Sequence, residues 1–359
     1  MLASFSRHNG NVFTPAADME TMGTRIRLWE PGYVYSAVSR TVDRAFLFKP
    51  NHSRDDHLLD ARCHPEALRP DNDLLPAPSI IDIIGSSIAR ALRAHPVDLH
   101  WAESNINHIH FGIGLHSAHI EEASRFLQHA NSLIAREVNK TWDREGHVFA
   151  GPARVEPCLD DEVVPHQMVY AVTNTVKDGL VETVGESPFF STFRHLTRGD
   201  PLRFWYIDWN AWFDAGGPRT RTHRIKDYLE WVELELAPLP GLAEMAEHRR
   251  RTWIRRHVRE VEEKARKEVA SAGRTFMGVP ALFAVAPRGR PSNPKRSGRQ
   301  PLCHTTVPAL YREYRKRHRD FMDEYRKASL DYRNGDFERE FPVGSFRPPL
   351  ITVYTSSAL

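Results

Sequence analysis

Cysteine is scarce. Cys63, Cys158 and Cys303 are the three in 359 residues, far apart and without the paired spacing of a structural zinc site. They read as reduced thiols in a cytosolic setting, with no disulfide framework. Long apolar runs are missing as well: none approaches the about 20 residues that a membrane helix needs. Arg7, His8 and Asn9 interrupt the N-terminus before a signal-peptide core can form. No His-Glu-x-x-His is present, which argues against a metallopeptidase. The expectation is a cytoplasmic chain that does not engage a membrane, long enough for one large or two modest domains.

Net charge is also small, at +3, but it is unevenly spread. Residues 247–333 hold 23 Lys/Arg against 10 Asp/Glu, and the remainder holds 26 against 36. An acidic body joined to a basic C-terminal region points to a polyanion partner, and so to association with the nucleoid.

Residues 1–30 lack periodicity and read as a flexible arm. Tyr33–Val38 alternates as a strand. Residues 49–78 carry five prolines and read as a loop. Ser79 is placed to cap a helix over 80–94, with Ile80, Ile81, Ile84, Ile88 and Leu92 on one side. Strands follow over 97–102 and 107–113, then an amphipathic helix over 118–139, a strand over 148–155 and a helix from about 160 to 177. The order β-α-β-β-α-β-α suggests an α+β fold, a ferredoxin-like antiparallel sheet with helices on one face. A mainly helical, basic C-terminal extension completes it.

The chain divides into four segments: the arm over 1–30, a core domain over 31–200, an aromatic-rich segment with a long charged helix over 201–273, and a basic extension over 274–359. The extension contains Pro287-Arg288-Gly289-Arg290-Pro291. This resembles the core of an AT-hook, whose arginines follow the negative potential of a narrow minor groove. Arg288, Arg290, Lys295, Arg296 and Arg299 are therefore candidate DNA contacts. A flexible basic linker is the alternative.

The chemistry centres on Asn107-His108-Ile109-His110-Phe111. In a strand, alternate side chains share a face, so His108 and His110 project together while Ile109 and Phe111 turn to the core. Two adjacent imidazoles are half of a divalent-metal site. With 19 histidines in the chain, His-x-His alone is a chance-level pattern. Tyr170-Ala-Val-Thr-Asn174 lies on the helix over 160–177, with Tyr170 and Asn174 one turn apart on one face. His108, His110 and Asn174 form a set of neutral ligands suited to Mg²⁺ or Mn²⁺. Tyr170 is then the candidate nucleophile.

These pieces together resemble the single-tyrosine HUH transposases, most of all the REP-associated tyrosine transposases. The resemblance runs from about Tyr33 to Phe193. Tyr33-Val-Tyr-Ser-Ala-Val-Ser-Arg40 resembles the family's first strand with its terminal Arg, and Asn107-His-Ile-His110 its Asn-His-x-His. Gly146-His-Val-Phe-Ala-Gly151 resembles Gly-His-Val-Phe-Gln-Gly. Tyr170-x-x-x-Asn174 followed by Gly179-Leu-Val181 resembles Tyr-x-x-x-Asn followed by Ala-Gly-Leu-Val. Ser187-Pro188-Phe189 and Ser191 sit where the family has a Tyr/Ser-Pro-Trp-Ser-Ser turn. The chain departs from the family at Asn105-Ile106, at Pro152-Ala153-Arg154 and at Thr175-Val176-Lys177.

The resemblance implies a transposase that binds a hairpin and cleaves single-stranded DNA beside it. Tyr170 would form a 5′-phosphotyrosine link and a 3′-hydroxyl would later rejoin. It implies Tyr170 as nucleophile, His108, His110 and Asn174 as ligands to Mg²⁺ or Mn²⁺, and Arg40 among the DNA contacts. The partner is single-stranded or hairpin DNA, and the protein a monomer or homodimer. Two alternatives stay open: a non-catalytic hairpin-DNA-binding protein that keeps the fold, and an HUH-type replication initiator or relaxase.

Overall fold

A computed structural model describes residues 28–51, 78–115, 121–219, 225–292, 301–345 and 347–348. Cys63, Lys295, Arg296, Arg299 and the arm over 1–27 lie outside the described residues. The last residues of that arm are packed: Trp29 is buried, with its ring edge on Tyr35 and its indole N–H donating to Ser124 Oγ at 2.9 Å.

The chain opens with strand β1 (Val34–Arg40), helix α1 (Ile80–Ala94), strands β2 (Asp98–Asn105) and β3 (His108–Gly114), helix α2 (Glu121–Thr141) and strand β4 (Arg154–Cys158). Ser79 caps α1, its hydroxyl accepting from the Asp82 amide at 3.0 Å. The four strands form one antiparallel sheet in the order β2-β3-β1-β4. Two helices next carry the chain over the sheet, α3 (Val163–Val172) and α4 (Asn174–Lys177). Then come α5 (Phe193–Arg198), β5 (Arg203–Ile207), α6 (Trp209–Asp214) and β6 (Leu229–Glu233), with β5 and β6 paired as a separate antiparallel ribbon. Three helices end the chain: α7 (Glu247–Ser271), α8 (Val279–Ala284) and α9 (Pro308–Arg333).

The alternation of β1 and β3 sorts the side chains into two cores. Tyr35, Ala37, Ile109, Phe111 and Ile113 pack with Ile84 and Ile88 of α1 and Phe126, Ala130 and Ile134 of α2. Val34, Trp101, Ile106 and Cys158 pack with Val164, Met168 and Val172 of α3 and Ile254, Val258 and Ala265 of α7. Helices thus cover both faces, which corrects the expectation of helices on one face. The reason is visible in β3, where every residue is buried: a strand with no wet side needs cover on each. A register shift between Leu99 and Trp101 sends these two residues to opposite cores. Trp101 then lies over its partner Gly112, where an added Cβ would come within 2.2 Å of the indole.

Other expectations move. The strand expected over 148–155 begins only at Arg154, because Gly151-Pro152 turns the chain after a single bridge between Thr41 and Phe149. The boundary near residue 200 does not separate two cores. Helices α7 and α8 share the core of α3, and the β5–β6 ribbon packs on α1 with the Phe204 ring against Gly85. Residues of the basic extension join as well, with Cys303, Tyr311 and Tyr314 packed on Leu159.

The chain also pairs with the outer strands of its own sheet. His304 bonds along β4, its amide donating to Pro157 O and its carbonyl accepting from the Leu159 amide, each at 2.8 Å. On the far side, the Ser104 amide donates to Phe190 O at 2.9 Å and the Ala237 amide to Leu99 O at 2.8 Å. No helix among the described residues is long and apolar enough to cross a membrane.

Candidate active site

Strand β3 presents His108 and His110 on the face away from Ile109 and Phe111, toward α3 and α4. Their rings are 4.9 Å apart between centroids. Asn174, first residue of α4, places its amide nitrogen 2.5 Å from His108 Nε2 and 3.1 Å from His110 Nε2. The three side chains are 6%, 6% and 8% exposed. Tyr170 stands one turn earlier, its ring 6.1 Å from that of His110 and 52% exposed. The four residues expected to carry the chemistry are therefore together. A buried trio faces a tyrosine that solvent and substrate can reach.

Local bonds hold this arrangement. The helix breaks at Thr173 (φ −88°, ψ 6°), whose hydroxyl donates to Val169 O at 2.7 Å. The short α4 then ends at Asp178, whose carboxylate accepts from Asn105 Nδ2 at 2.9 Å. Asn105 closes β2 and also accepts from the Ile106 amide through Oδ1 at 2.6 Å. The helix that carries Asn174 is thus tied to the hairpin that carries the histidines.

Asn107 sets the His108 ring. Its Nδ2 donates to Arg44 O at 3.1 Å, which leaves Oδ1 to accept from His108 Nδ1 at 2.7 Å. The proton sits on Nδ1, and the Nε2 lone pair faces Asn174. The resemblance included this asparagine without giving it a task; its neighbour relation to His108 is the signal that could have found one.

Both imidazoles are held neutral. Burial, then the charges of His110 and Arg40, push the His108 pKa well below its usual value. Burial, then Lys177 and Arg40, push His110 down to about 3. Neutral rings offer lone pairs to a metal without competition from protons. Among the described residues no three His, Cys, Asp or Glu side chains cluster in a way that could hold a metal ion, and the third side chain of this trio is an amide. The two ends of an asparagine amide are nearly equal in shape, and their assignment follows the network around them. Turned by half a rotation, Asn174 would offer Oδ1 where Nδ2 now lies. Two imidazole nitrogens and one carbonyl oxygen would then lie together, a mixed nitrogen and oxygen donor set of the kind a divalent first-row ion such as Mn²⁺ accepts.

Cationic side chains surround this trio. Arg40 ends β1 in register with His108, and Arg154 opposes Val38 from β4, so both lie on the histidine face. Burial first, then the charges of Arg154 and Arg44, lower the Arg40 pKa. In the sequence Lys177 stands out only as a departure from the family pattern. Its Nζ lies 3.4 Å from the centroid of the Tyr170 ring and donates to Tyr170 O at 2.7 Å. Its position two turns after Tyr170 was the available signal. Burial lowers Lys177 to about 7, with Asp178 opposing. Although the side chain as a whole is half exposed, desolvation of its phenol, then Asp178 and Glu156, raise the Tyr170 pKa, with Arg40 opposing.

Arg288 and Arg290 lie elsewhere. They line a groove of about 840 Å³ with Asp43, Lys140, Asp143 and Arg144, and none of the four site residues borders it. Arg290 pairs with Asp43 at 2.8 Å. Gly289 sits in a turn, its amide donating to Ala286 O at 2.8 Å and its carbonyl accepting from the Phe46 amide at 2.9 Å. The segment expected as an extended hook is a turn packed on the body.

No family model matches the chain, and no curated protein matches it. The chain is similar to a solved REP-associated tyrosine transposase bound to a REP hairpin, at a TM-score of 0.33 and 17% identity over 50% of this chain and 90% of that one. An overlap this loose transfers no role to any residue.

Proposed function

We propose that this protein is a DNA strand transferase of the single-tyrosine HUH class, close to the REP-associated tyrosine transposases. It would cleave and rejoin single-stranded DNA beside a hairpin or inverted repeat. The observation that carries this reading is the convergence of His108, His110 and Asn174 on one point, with the exposed Tyr170 ring beside His110. The strand order β2-β3-β1-β4 with its β-α-β-β-α-β succession supports a ferredoxin-like core.

In this mechanism Tyr170 Oη bonds to the scissile phosphorus, and the bond from phosphorus to the 3′ oxygen breaks. The products are a 5′-phosphotyrosine and a 3′-hydroxyl, with the phenolic proton passing to solvent and a proton returning to the leaving oxygen. The phosphodiester energy is kept, so rejoining needs no nucleotide cofactor. A divalent cation held by His108, His110 and Asn174 would polarise the phosphate. Arg40 and Arg154 supply positive charge on the same sheet face. Tyr170 and the three donors come from one chain, which supports a site complete in a monomer.

The test uses single-stranded DNA with a flanking hairpin, labelled at its 3′ end, incubated with Mn²⁺ and run on a denaturing gel. A protein–DNA adduct is expected with the wild type and is expected to vanish with Tyr170→Phe and with a chelator. Absence of any adduct across a panel of hairpin substrates overturns the reading.

One observation favours a second reading. Asn174 Nδ2 hydrogen-bonds both imidazoles and closes the trio without a metal. That network suits a protein that keeps the fold for hairpin binding alone. Such a protein would bind the hairpin DNA equally well with and without Mn²⁺ and would form no adduct on any substrate.

A further inference from the structure

Helix α7 carries a strongly charged face that the proposed chemistry does not use. Its first half, residues 247–259, holds six arginines and one glutamate. Ile254 and Val258 bury one stripe of the helix in the shared core, and among the described residues the opposite side faces outward. Arg249, Arg255, Arg256 and Arg259 are exposed. Acids on the outer side are Glu260, 3.8 Å from Arg256, and Glu263. Arg249, Trp253 and Arg256 stand at i, i+4 and i+7, one above another on one side.

Trp253 is half-buried and stacks on His257, with centroids 3.7 Å apart and planes at 26°. His166 of α3 closes the cluster, its ring 5.5 Å from Trp253 and 5.8 Å from His257. His166 is one turn before Tyr170 on α3, so the rings and the nucleophile share one side of that helix. A stacked aromatic pair flanked by arginines, bordering an exposed tyrosine, has the composition of a single-strand platform. Bases stack on rings, and guanidinium groups meet phosphates.

We infer that the outer face of α7, beside its junction with α3, binds the unpaired nucleotides next to the bond at Tyr170, with Trp253 as the stacking surface and Arg249 and Arg256 as phosphate contacts. This rests on the reading of the protein as acting on single-stranded DNA, and it adds where the strand lies and which residues hold it. Charge complementarity selects the occupant. An acidic peptide would find the arginines but would have no use for the ring stack.

The test is equilibrium binding of a fluorescein-labelled oligo(dT) of about 20 nucleotides, followed by anisotropy across a salt series. All variants are made in the Tyr170→Phe protein, so that no covalent product forms. Trp253→Ala is expected to weaken binding by about tenfold or more, and Trp253→Phe to keep most of it. Arg249→Glu with Arg256→Glu should reduce the magnitude of the salt slope by about 1.4, the amount for two phosphate contacts on a single strand. Both arginines are exposed, so this double variant reports on binding without threatening the fold. An unchanged salt slope overturns the inference, as does tighter binding of blunt duplex than of oligo(dT). The adduct assay is independent of this one. If no adduct forms yet Trp253→Ala weakens binding, the platform stands and the catalytic reading falls.

Discussion

The ammonium of Lys177 rests 3.4 Å from the centre of the Tyr170 ring and bonds that same residue's carbonyl at 2.7 Å. One side chain thereby fixes both the backbone and the ring of the proposed nucleophile. A cation over an aromatic face contributes about 0.5–2 kcal/mol, depending on how dry the site is. Lys177→Met keeps the apolar stem and removes the charge. It is expected to slow single-turnover adduct formation by about tenfold, while Lys177→Arg restores part of the rate. Equal rates in wild type and Lys177→Met would show that Tyr170 needs no such support.

Asn107 is expected to matter to metal affinity without touching the metal. Its Oδ1 holds the proton of His108 on Nδ1 and so points the other nitrogen inward. Outer partners of this kind typically change metal affinity by about 10–100-fold when removed. Calorimetric titration of Mn²⁺ into Asn107→Ala should show that weakening, with Asn107→Asp retaining more. Equal affinity in Asn107→Ala and wild type would mean that the ring is oriented by packing alone.

Glu103 is expected to give the protein a pH-dependent stability. It is buried, accepts from the Thr192 amide at 2.9 Å and from its hydroxyl at 2.8 Å, and burial raises its pKa from 4.5 to about 7. Between these two values the folded state keeps a proton that the unfolded state has lost. This contribution to stability is therefore fully present below pH 4.5 and declines as pH rises toward 7. Glu103→Gln keeps an acceptor oxygen and has no charge to lose. Thermal melts from pH 5 to 8 should show the wild type losing stability relative to this variant, and parallel curves would refute the assignment.

Gly112→Ala tests the packing behind the histidine strand. The new methyl would meet the Trp101 indole at 2.2 Å, and that ring is fully buried. Overpacking of this kind costs about 1–3 kcal/mol. A lowered midpoint in urea, with its slope unchanged, is the expected result. An unchanged midpoint would mean that Trp101 has room to move.

Much of this was legible in the residues. Helix α1 runs over the span that Ser79 and the isoleucine spacing indicate, because cap and periodicity agree there. His108 and His110 share a face as the strand period implies; that Tyr170 and Asn174 come up to them follows the family resemblance, and the break at Thr173 between these two was not legible. What escaped notice depends on contacts distant in sequence. The cover on the second sheet face comes partly from α7, whose narrow stripe of Ile254 and Val258 names no partner. The Arg288–Arg290 segment has the composition of a free hook. Its turn is set instead by Phe46 and Asp43, over 200 residues earlier. Lys177 and Glu103 act through burial, which no local pattern records.

The bonds of His304 to β4, and of Phe190 and Ala237 to β2, have a consequence for assembly. A strand from another molecule would have to displace these segments before it could add to the four-stranded sheet, so that sheet is guarded against edge-to-edge association. Two copies that pair as folded molecules would then meet through surfaces other than the edges of the four-stranded sheet. The segment around His304 is also a seal: releasing it would bare β4 as a template for aggregation.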